Sequence, residues 1–488
     1  MKISPLRLLT AAMVCTVLIS CGVEKKVILH AGEMSDGTLA VYASGMDKLV
    51  FLESGSSLEV PYGPLAIEAI GDQGYEFSYW NGVDGEDSKL FFNIEEEQTI
   101  GAVFVQAEYS VSLDEAVNGN VTVNPEVIPG KKYPANTVFT IEAEADAGFE
   151  IDSLYYAVPG PWWVDYFESP KSHFEVRLTS PMVLGASFMD RNMTKGIKVI
   201  NDIVYAKPGV KELKYDLFSP ENAAELPLLI IVHGGGWSSN SEDVMRGMAR
   251  EIAGTGKYVV ASIDYRWIGH LDGDPEPNLM HDLIGDVYGA MAHVIEHAEE
   301  YGADPECIVI TGDSAGGHLS ASAATMIERI GDGGFGEKKG VYEIMPTYLP
   351  AKMSVYEFRD FLKGALRAAA PSYGVFDVRT NPEVPMPEQS SDALRAVSPI
   401  FNIPAEDERS IPHFLVRGTA DPLIRDEMVR IYNDALQDAG QDALYLQVPD
   451  AGHAFFDWKP DRETQAVFEE FGVPNIYEML DFFDRFIK

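Results

Sequence analysis

The sequence predicts an α/β protein whose C-terminal part is a mostly parallel, doubly wound sheet, preceded by two small all-β modules. Short apolar runs at residues 228–232, 258–263 and 307–310 have the continuous apolar character of strands buried on both faces. Helical periodicity at residues 280–301 separates the second run from the third. Residues 22–190 instead alternate apolar and polar positions between turns, which is typical of antiparallel β structure.

Length and charge limit the classes of protein that need considering. With 488 residues the chain is expected to form two or three domains. Its formal net charge is −39, from 37 basic and 76 acidic side chains, and acidic residues occur in both halves. Such a surface disfavours nucleic acids and anionic membranes as partners.

The first twenty residues are predicted to be a lipoprotein signal peptide. Lys2 and Arg7 precede a short apolar run at residues 8–19, and the following Leu-Ile-Ser-Cys sequence resembles a bacterial lipoprotein processing site ending at Cys21. The run is shorter than the roughly 20 residues that a transmembrane helix needs. We therefore expect an exported protein, periplasmic or at the cell surface, that is held to the membrane only by lipid on Cys21.

An internal repeat divides the N-terminal part into two modules, residues 22–106 and 107–190. Three patterned stretches of the first module recur in the second, two of them 74 residues later and the third 84 residues later. A ten-residue insertion explains the difference, and residues 159–167 are its predicted place. The modules resemble InlB-type B-repeats and are interpreted as spacers. Trp162 and Trp163 either stack on sugar rings or pack in a hairpin core.

The stretch 306–326 is predicted to be a strand, a sharp turn and a helix, with Ser314 at the tip. Its Gly-Asp-Ser-Ala-Gly sequence places glycines on both sides of the serine, where the turn brings backbone segments together. This geometry exposes the hydroxyl of Ser314 and directs the helix N-terminus at an oxyanion formed there. Upstream, three consecutive glycines at 234–236 follow a buried strand, and they leave backbone N–H groups accessible.

At these motifs the chain resembles the α/β-hydrolase family, and within it the hormone-sensitive-lipase-like and acetylxylan/feruloyl esterase branches. The resemblance spans about residues 195–488. It rests on five stretches in the family's order: HGGGW at 233–237, DYR at 264–266, GDSAGG at 312–317, GTADPL at 418–423 and GH at 452–453.

The resemblance implies a catalytic triad of Ser314, Asp421 and His453. The order serine, aspartate, histidine agrees with it, as does the position of Asp421 and His453 just after two predicted strands. It also implies an oxyanion hole formed by the backbone N–H groups of Gly235, Gly236 and Ala315. His233 and the DYR stretch are expected to be structural, whereas Trp237 and Trp267 are expected to border the substrate.

An insertion at residues 331–369 is interpreted as a lid over the site. The alternative is that it only packs on the edge of the sheet. Within it, Ser354 and Glu357 form a capping-box pattern that predicts a helix continuing to Ala370. Histidines 281, 293 and 297 lie on or near the helix predicted at 280–301, without the cysteines or carboxylates that would indicate a metal site.

The predicted function is a serine carboxylic ester hydrolase that works through an acyl-enzyme and needs no metal or cofactor. The resemblance and the predicted export favour deacylation of plant polysaccharide, as in acetylxylan or feruloyl esterases. A general short-chain carboxylesterase or lipase is the first alternative, and an exopeptidase is a weaker one. An alternative of another class is a cell-surface glycan-binding or adhesion protein.

Overall fold

A computed structural model describes most of the chain. Cys21, Trp162 and Trp163, singled out in the sequence, lie outside the described residues. Within the described part, every helix is too short or too polar to cross a bilayer. The described residues are 25–43, 45–46, 48–160, 164–334, 342–380 and 391–487.

The first module is built from two four-stranded sheets around one apolar core. Their orders are β4-β1-β8-β6 and β3-β2-β5-β7. Alternation decides which side chains face inward: in β5, Leu65, Ile67 and Ala69 are buried, and the intervening positions are more exposed. The strands are β1 Lys26–Ala31, β2 Gly37–Ala43, β3 Val50–Leu52, β4 Ser57–Pro61, β5 Gly63–Gly71, β6 Tyr75–Asn81, β7 Lys89–Ile94 and β8 Gln98–Gln106.

The second module repeats this plan with a separate core, in which Phe139, Ile141 and Leu154 are fully buried. Its sheets have the orders β10-β12-β15 and β11-β9-β16-β13-β14. The strands are β9 Glu108–Leu113, β10 Gly119–Asn124, β11 Lys132–Pro134, β12 Val138–Ala145, β13 Phe149–Pro159, β14 Val164–Ser169, β15 His173–Arg177 and β16 Met182–Asp190.

The ten-residue insertion of the second module is an additional β-hairpin arm. β13 is eleven residues long, and β14 pairs with it antiparallel, Pro159 opposite Val164 and Leu154 opposite Ser169. The described residues of the first module contain no strand equivalent to β14. In the place predicted from the repeat spacing, residues 159–167, Pro159 ends β13 and residues 164–167 belong to β14.

The C-terminal part contains one eight-stranded sheet with the order β17-β18-β20-β19-β21-β22-β23-β24. β18 pairs antiparallel with both neighbours, and the remaining neighbours pair parallel. Residues 228–232 are completely buried, as their continuous apolar character predicts. The strands are β17 Ile197–Ala206, β18 Leu213–Pro220, β19 Leu226–Val232, β20 Val259–Ile263, β21 Ala303–Asp313, β22 Leu366–Ser372, β23 His413–Gly418 and β24 Ala443–Val448.

Helices cover both faces of this sheet. The helix predicted at 280–301 is divided near His297 into α2 and α3, and α4 packs on β21 and β22 immediately after Ser314. A π-helical turn, Phe468–Gly472, joins α8 to α9. The helices are α1 Arg246–Gly254, α2 Met280–Glu296, α3 Ala298–Tyr301, α4 Ala315–Thr325, α5 Val355–Ala365, α6 Ser391–Ala396, α7 Asp426–Asp438, α8 Arg462–Val467 and α9 Val473–Phe483.

The helix predicted to continue to Ala370 ends earlier. Its capping box at Ser354 and Glu357 is present, but α5 stops at Ala365 and β22 begins at the next residue. The alanines at 368–370 pair with the central strand β21. Their small size suits this place because α4 lies so close to β22 that a Cβ on Gly317 would be 2.4 Å from the carbonyl oxygen of Ser372. Close packing of the sheet overrides the helical preference of alanine.

The lid interpretation of residues 331–369 disagrees with the position of the described residues. Thr347 donates its N–H to the carbonyl of Gly285 in α2, and the hydroxyl of Tyr348 contacts Glu296 at the end of that helix. α5 buries Phe358 and Leu362 in the core, and residues 366–369 are sheet. Within the described part of the segment, no residue lines the cleft above Ser314.

Candidate active site

Ser314 occupies a strained turn between β21 and α4. Its backbone has φ 52° and ψ −113°, outside the regions that L-residues prefer. The flanking glycines are required by contact: a Cβ on Gly316 would lie 1.9 Å from the carbonyl oxygen of Val232, and one on Gly312 would lie 2.5 Å from that of Gly316. The turn therefore holds the serine at the C-terminal edge of the sheet, as the sequence predicts.

Three side chains from distant parts of the chain form one hydrogen-bonded series at this edge. Ser314 Oγ lies 2.8 Å from His453 Nε2, and His453 Nδ1 lies 2.8 Å from Asp421 Oδ2. Asp421 follows β23 and His453 follows β24, so parallel strands bring both loops beside the turn after β21. The geometry is that of a nucleophile, a general base and an orienting carboxylate.

The carboxylate of Asp421 is held in its ionised form. Burial alone would raise its pKa, but hydrogen bonds from His453 and from the N–H groups of Ile424 and Leu423 lower the pKa below its usual value. Behind the imidazole, the ring of Tyr373 contacts that of His453 edge-on at 4.9 Å. The base is thus fixed from two sides, by the aspartate and by an aromatic ring.

The three-glycine loop lies beside the serine. Gly235 has φ 119° and Gly236 has φ 60°, and both line the same cleft as Ser314 and Ala315. Ala315 opens α4, so its N–H lacks a partner within the helix. These N–H groups are the type of donor that stabilises an oxyanion. His233 stays structural: it is fully buried and stacks on Tyr265 at 4.3 Å.

Asp313, next to the serine, is a buried acid that packs closely against the glycine loop. A Cβ on Gly234 would lie 2.6 Å from its Oδ2, so glycine is required at that position as well. Burial, followed by the nearby carboxylate of Asp457, raises the pKa of Asp313 well above its ordinary value. The raised pKa favours the neutral form, which adds no negative charge beside a developing oxyanion.

Of the two tryptophans expected to border the substrate, one lies in the cleft. Trp237 lines it, and its Nε1 donates to His318 Nδ1 at 3.2 Å. Burial lowers the pKa of His318 to about 4, consistent with a neutral ring that accepts this bond. Trp267 is not among the cleft-lining described residues. It lies one layer behind, donating from Nε1 to the carbonyl of Asn240, which does line the cleft.

The cleft has a volume of about 800 Å³, and several of the residues that line it were not predicted from the sequence. Val375 and Thr380 follow β22, and Asp457 and Lys459 follow His453. The second module contributes as well, through the start of β14 at residues 164–165. Only the last contribution had a sequence signal, the insertion in the second repeat.

Among the described residues, no group of three or more His, Cys, Asp or Glu side chains is arranged to hold a metal ion.

Comparison with known proteins agrees with this picture over part of the chain. Residues 215–436 match the BD-FAE family model. The chain is 30% identical over 280 residues to esterase LipQ of Mycobacterium tuberculosis, covering 52% of this chain and 57% of the relative. It is 31% identical over 249 residues to the probable carboxylic ester hydrolase LipM of the same organism, covering 47% and 49%. The matches therefore span about half the length of these relatives.

Among solved structures, the thermophilic esterase Est2 of Thermogutta terrifontis is 25% identical, covering 59% of this chain and 91% of its own, with a TM-score of 0.42. The conclusion about the fold rests on the sheet itself. The second strand of the sheet, β18, is antiparallel to its neighbours, and the strands beyond it are parallel to one another. This strand arrangement and the BD-FAE match across residues 215–436 indicate the same fold. The C-terminal part of the chain has the α/β-hydrolase fold, and two small all-β modules precede it.

Proposed function

We propose that the protein is a serine carboxylic ester hydrolase. One observation carries the proposal: the bonded series of Ser314, His453 and Asp421 opens into a cleft that is also lined by two backbone-exposed glycines. Nucleophile, base and oxyanion donors then surround one position where an ester carbonyl can lie. The names of the similar proteins, esterase and probable carboxylic ester hydrolase, support the same reaction class.

The mechanism follows from the direction of the hydrogen bonds. His453 Nε2 accepts the proton of Ser314 Oγ as that oxygen attacks the ester carbonyl, and Asp421 stabilises the resulting imidazolium through Nδ1–H. The N–H groups of Gly235, Gly236 and Ala315 receive the oxyanion. The imidazolium then gives its proton to the departing alcohol, which leaves an acyl group on Ser314. A water molecule, deprotonated by His453, hydrolyses this acyl-enzyme.

We propose acylated plant polysaccharide as the substrate class, with acetylated xylan or feruloylated chains as its members. The lining of the cleft is more apolar than polar, but Ser238, Asn240 and Thr380 lie in it and can form hydrogen bonds with a leaving group rich in hydroxyls. The resemblance to acetylxylan and feruloyl esterases and the predicted export on lipidated Cys21 support the same substrate. A short-chain carboxylesterase is the second candidate, favoured by the names of the mycobacterial relatives.

A panel of esters tests both proposals. The mature protein is assayed on acetylated xylan, methyl ferulate and 4-nitrophenyl esters of increasing acyl length. Ser314→Ala serves as the blank and Ser320→Ala as the matched control, because Ser320 is buried on the same helix and donates to the carbonyl of Gly317. We expect release of acetate or ferulate that the blank lacks and the control keeps. Hydrolysis of the synthetic esters alone would favour the short-chain carboxylesterase, and no hydrolysis would overturn the reaction class.

A further inference from the structure

The hairpin arm of the second module extends to the active site of the C-terminal domain. Val164 and Asp165, the first residues of β14, line the same cleft as Ser314 and Gly236. The arm is the insertion that distinguishes the second repeat from the first. A spacer has no need of a strand that lines the cleft of Ser314, so the arm requires another explanation.

A buried ionic cluster fixes the arm in this position. Asp152 of β13 accepts hydrogen bonds from Arg246 at 2.8 and 3.1 Å and from Arg250 at 2.6 Å, both on α1. Glu168 of β14 lies 2.6 Å from Arg246 as well. The four side chains are each at most 5% exposed. Charges are buried in this way only where they are paired, so Asp152 and the two arginines define a specific, buried interface between the two domains.

The same interface holds the loop that follows the catalytic histidine. Trp458 donates from Nε1 to Asp152 Oδ2 at 2.9 Å, and its indole ring faces the guanidinium of Arg250 at 4.9 Å. Burial and the hydrogen-bonded carboxylate of Asp461 raise the pKa of Tyr166, in β14, to about 12. The loop from His453 to Asp461 supplies Asp457 and Lys459 to the cleft. The arm and the histidine loop are therefore one packed unit.

We propose that the second module completes the substrate site and that Val164 is a specificity-determining residue. The side chain of Val164 is apolar, 40% exposed and lies in the cleft wall, so it offers contact area to the part of an ester remote from the scissile carbonyl. In a bound ester, this wall contacts either a bulky acyl chain or a bulky alcohol such as a glycosyl unit. The proposal rests on the ester hydrolase function and goes beyond it by assigning substrate selection to a second domain.

Two tryptophan variants test the proposal. Val164→Trp narrows the cleft, whereas Val138→Trp makes the same change in β12 of the same module, where the valine is 41% exposed and outside the described cleft lining. The readout is the ratio of kcat/KM between large and small esters. The acyl pair is 4-nitrophenyl octanoate and acetate, and the alcohol pair is acetylated xylo-oligosaccharide and ethyl acetate. Thermal melting confirms that each variant is folded.

We expect Val164→Trp to lower the ratio for at least one pair by about tenfold, within the range that one pocket contact supplies, and Val138→Trp to keep the ratio of the wild type. Unchanged ratios in both variants, or equal changes in both, would overturn the proposal. Labelling of Ser314 by a small and a bulky fluorophosphonate provides a readout that does not require turnover. Labelling without hydrolysis would overturn the ester hydrolase function while the ratio of labelling rates still decides the role of Val164.

Discussion

Replacing Asp152 with asparagine removes the carboxylate that joins two buried guanidinium groups. Arg250 loses its ion pair with Asp152 Oδ1, and its Nε and Nη2 already lack hydrogen-bond partners among the described residues. Arg246 keeps Glu168 and the carbonyl of Asp243. The uncompensated charge is therefore concentrated on Arg250, at the interface between α1 and the second module.

The size of the effect follows from burial. An exposed ion pair contributes at most about 1 kcal/mol, whereas removing one partner of a buried pair costs about 3–5 kcal/mol. The side chain of Asp152 is 1% exposed and that of Arg250 is 4% exposed, so the buried case applies. Burial alone would raise the pKa of Asp152, but Arg246 and Arg250 lower it well below its usual value, which marks the same strong stabilisation of the charge.

Hydrogen exchange measured by mass spectrometry on peptides of β13 and α1 reports this change locally. We expect both peptides to exchange roughly 10²- to 4 × 10³-fold faster in Asp152→Asn, because each 1.4 kcal/mol is a factor of ten in an opening equilibrium. Glu142→Gln is the matched control, since Glu142 is 64% exposed and lies 3.5 Å from His173 in the same module. Its peptides are expected to keep their exchange rates.

Exchange of both peptides within about threefold of the wild type in Asp152→Asn, a change of under 1 kcal/mol, would show that the ionic cluster does not fix the interface. The same conclusion would follow if β13 became less protected and α1 did not, because a shared ionic interface must loosen on both sides. Either result would mean that the second module rests beside the C-terminal domain without being fixed to it.

Three further predictions concern the site and the interface. Asp421→Asn is expected to lower kcat by about 10⁴-fold through loss of the correct imidazole tautomer, with little change in KM, measured by steady-state kinetics. Gly235→Ala is expected to lower kcat/KM by about 10²-fold or more, and by more than Gly236→Ala does. A Cβ on Gly235 would lie 2.3 Å from the carbonyl oxygen of Ser239, whereas a Cβ on Gly236 would lie 3.7 Å from its nearest neighbour. For Glu168, burial and the carboxylates of Asp243 and Asp152 outweigh Arg246 and raise the pKa to about 7. The folded state thus binds the Glu168 proton more tightly than the unfolded state, so this stabilisation is complete below about pH 4.5 and lost as pH rises through about 7. Thermal melting of Glu168→Gln is expected to show a flatter dependence on pH across that window than the wild type; an identical slope would contradict it.

The parts of the molecule that local pattern determines could be predicted from sequence. The turn at Ser314 is dictated by its two glycines, and Asp421 and His453 were located because each follows an apolar run that forms a strand. The α/β-hydrolase fold and the all-β modules were likewise predicted. The roles of the triad and oxyanion residues stay predictions, as does lipidation of Cys21.

Contacts between distant segments of the chain could not be predicted from the sequence. Asp152 and Glu168 occupy a β-hairpin, where acidic residues normally face water, and nothing near them in the sequence indicates that Arg246 lies opposite. The extent of α5 was misjudged for the same reason, because the alanines at 368–370 favour a helix in isolation and only the neighbouring strands make them extended. The position of Trp267 behind the cleft depends on how its loop packs.

The central claim is that Ser314 carries the acyl group during ester hydrolysis. The direct measurement is rapid quenching of the protein during turnover of 4-nitrophenyl acetate, followed by mass spectrometry of the peptide that contains Ser314. We expect an acetyl group on Ser314 in the wild type, formed during a burst of 4-nitrophenol, and neither adduct nor burst in Ser314→Ala. Hydrolysis that persists in Ser314→Ala at the wild-type rate, or an acetyl group on another residue that turns over at that rate, would contradict the central claim.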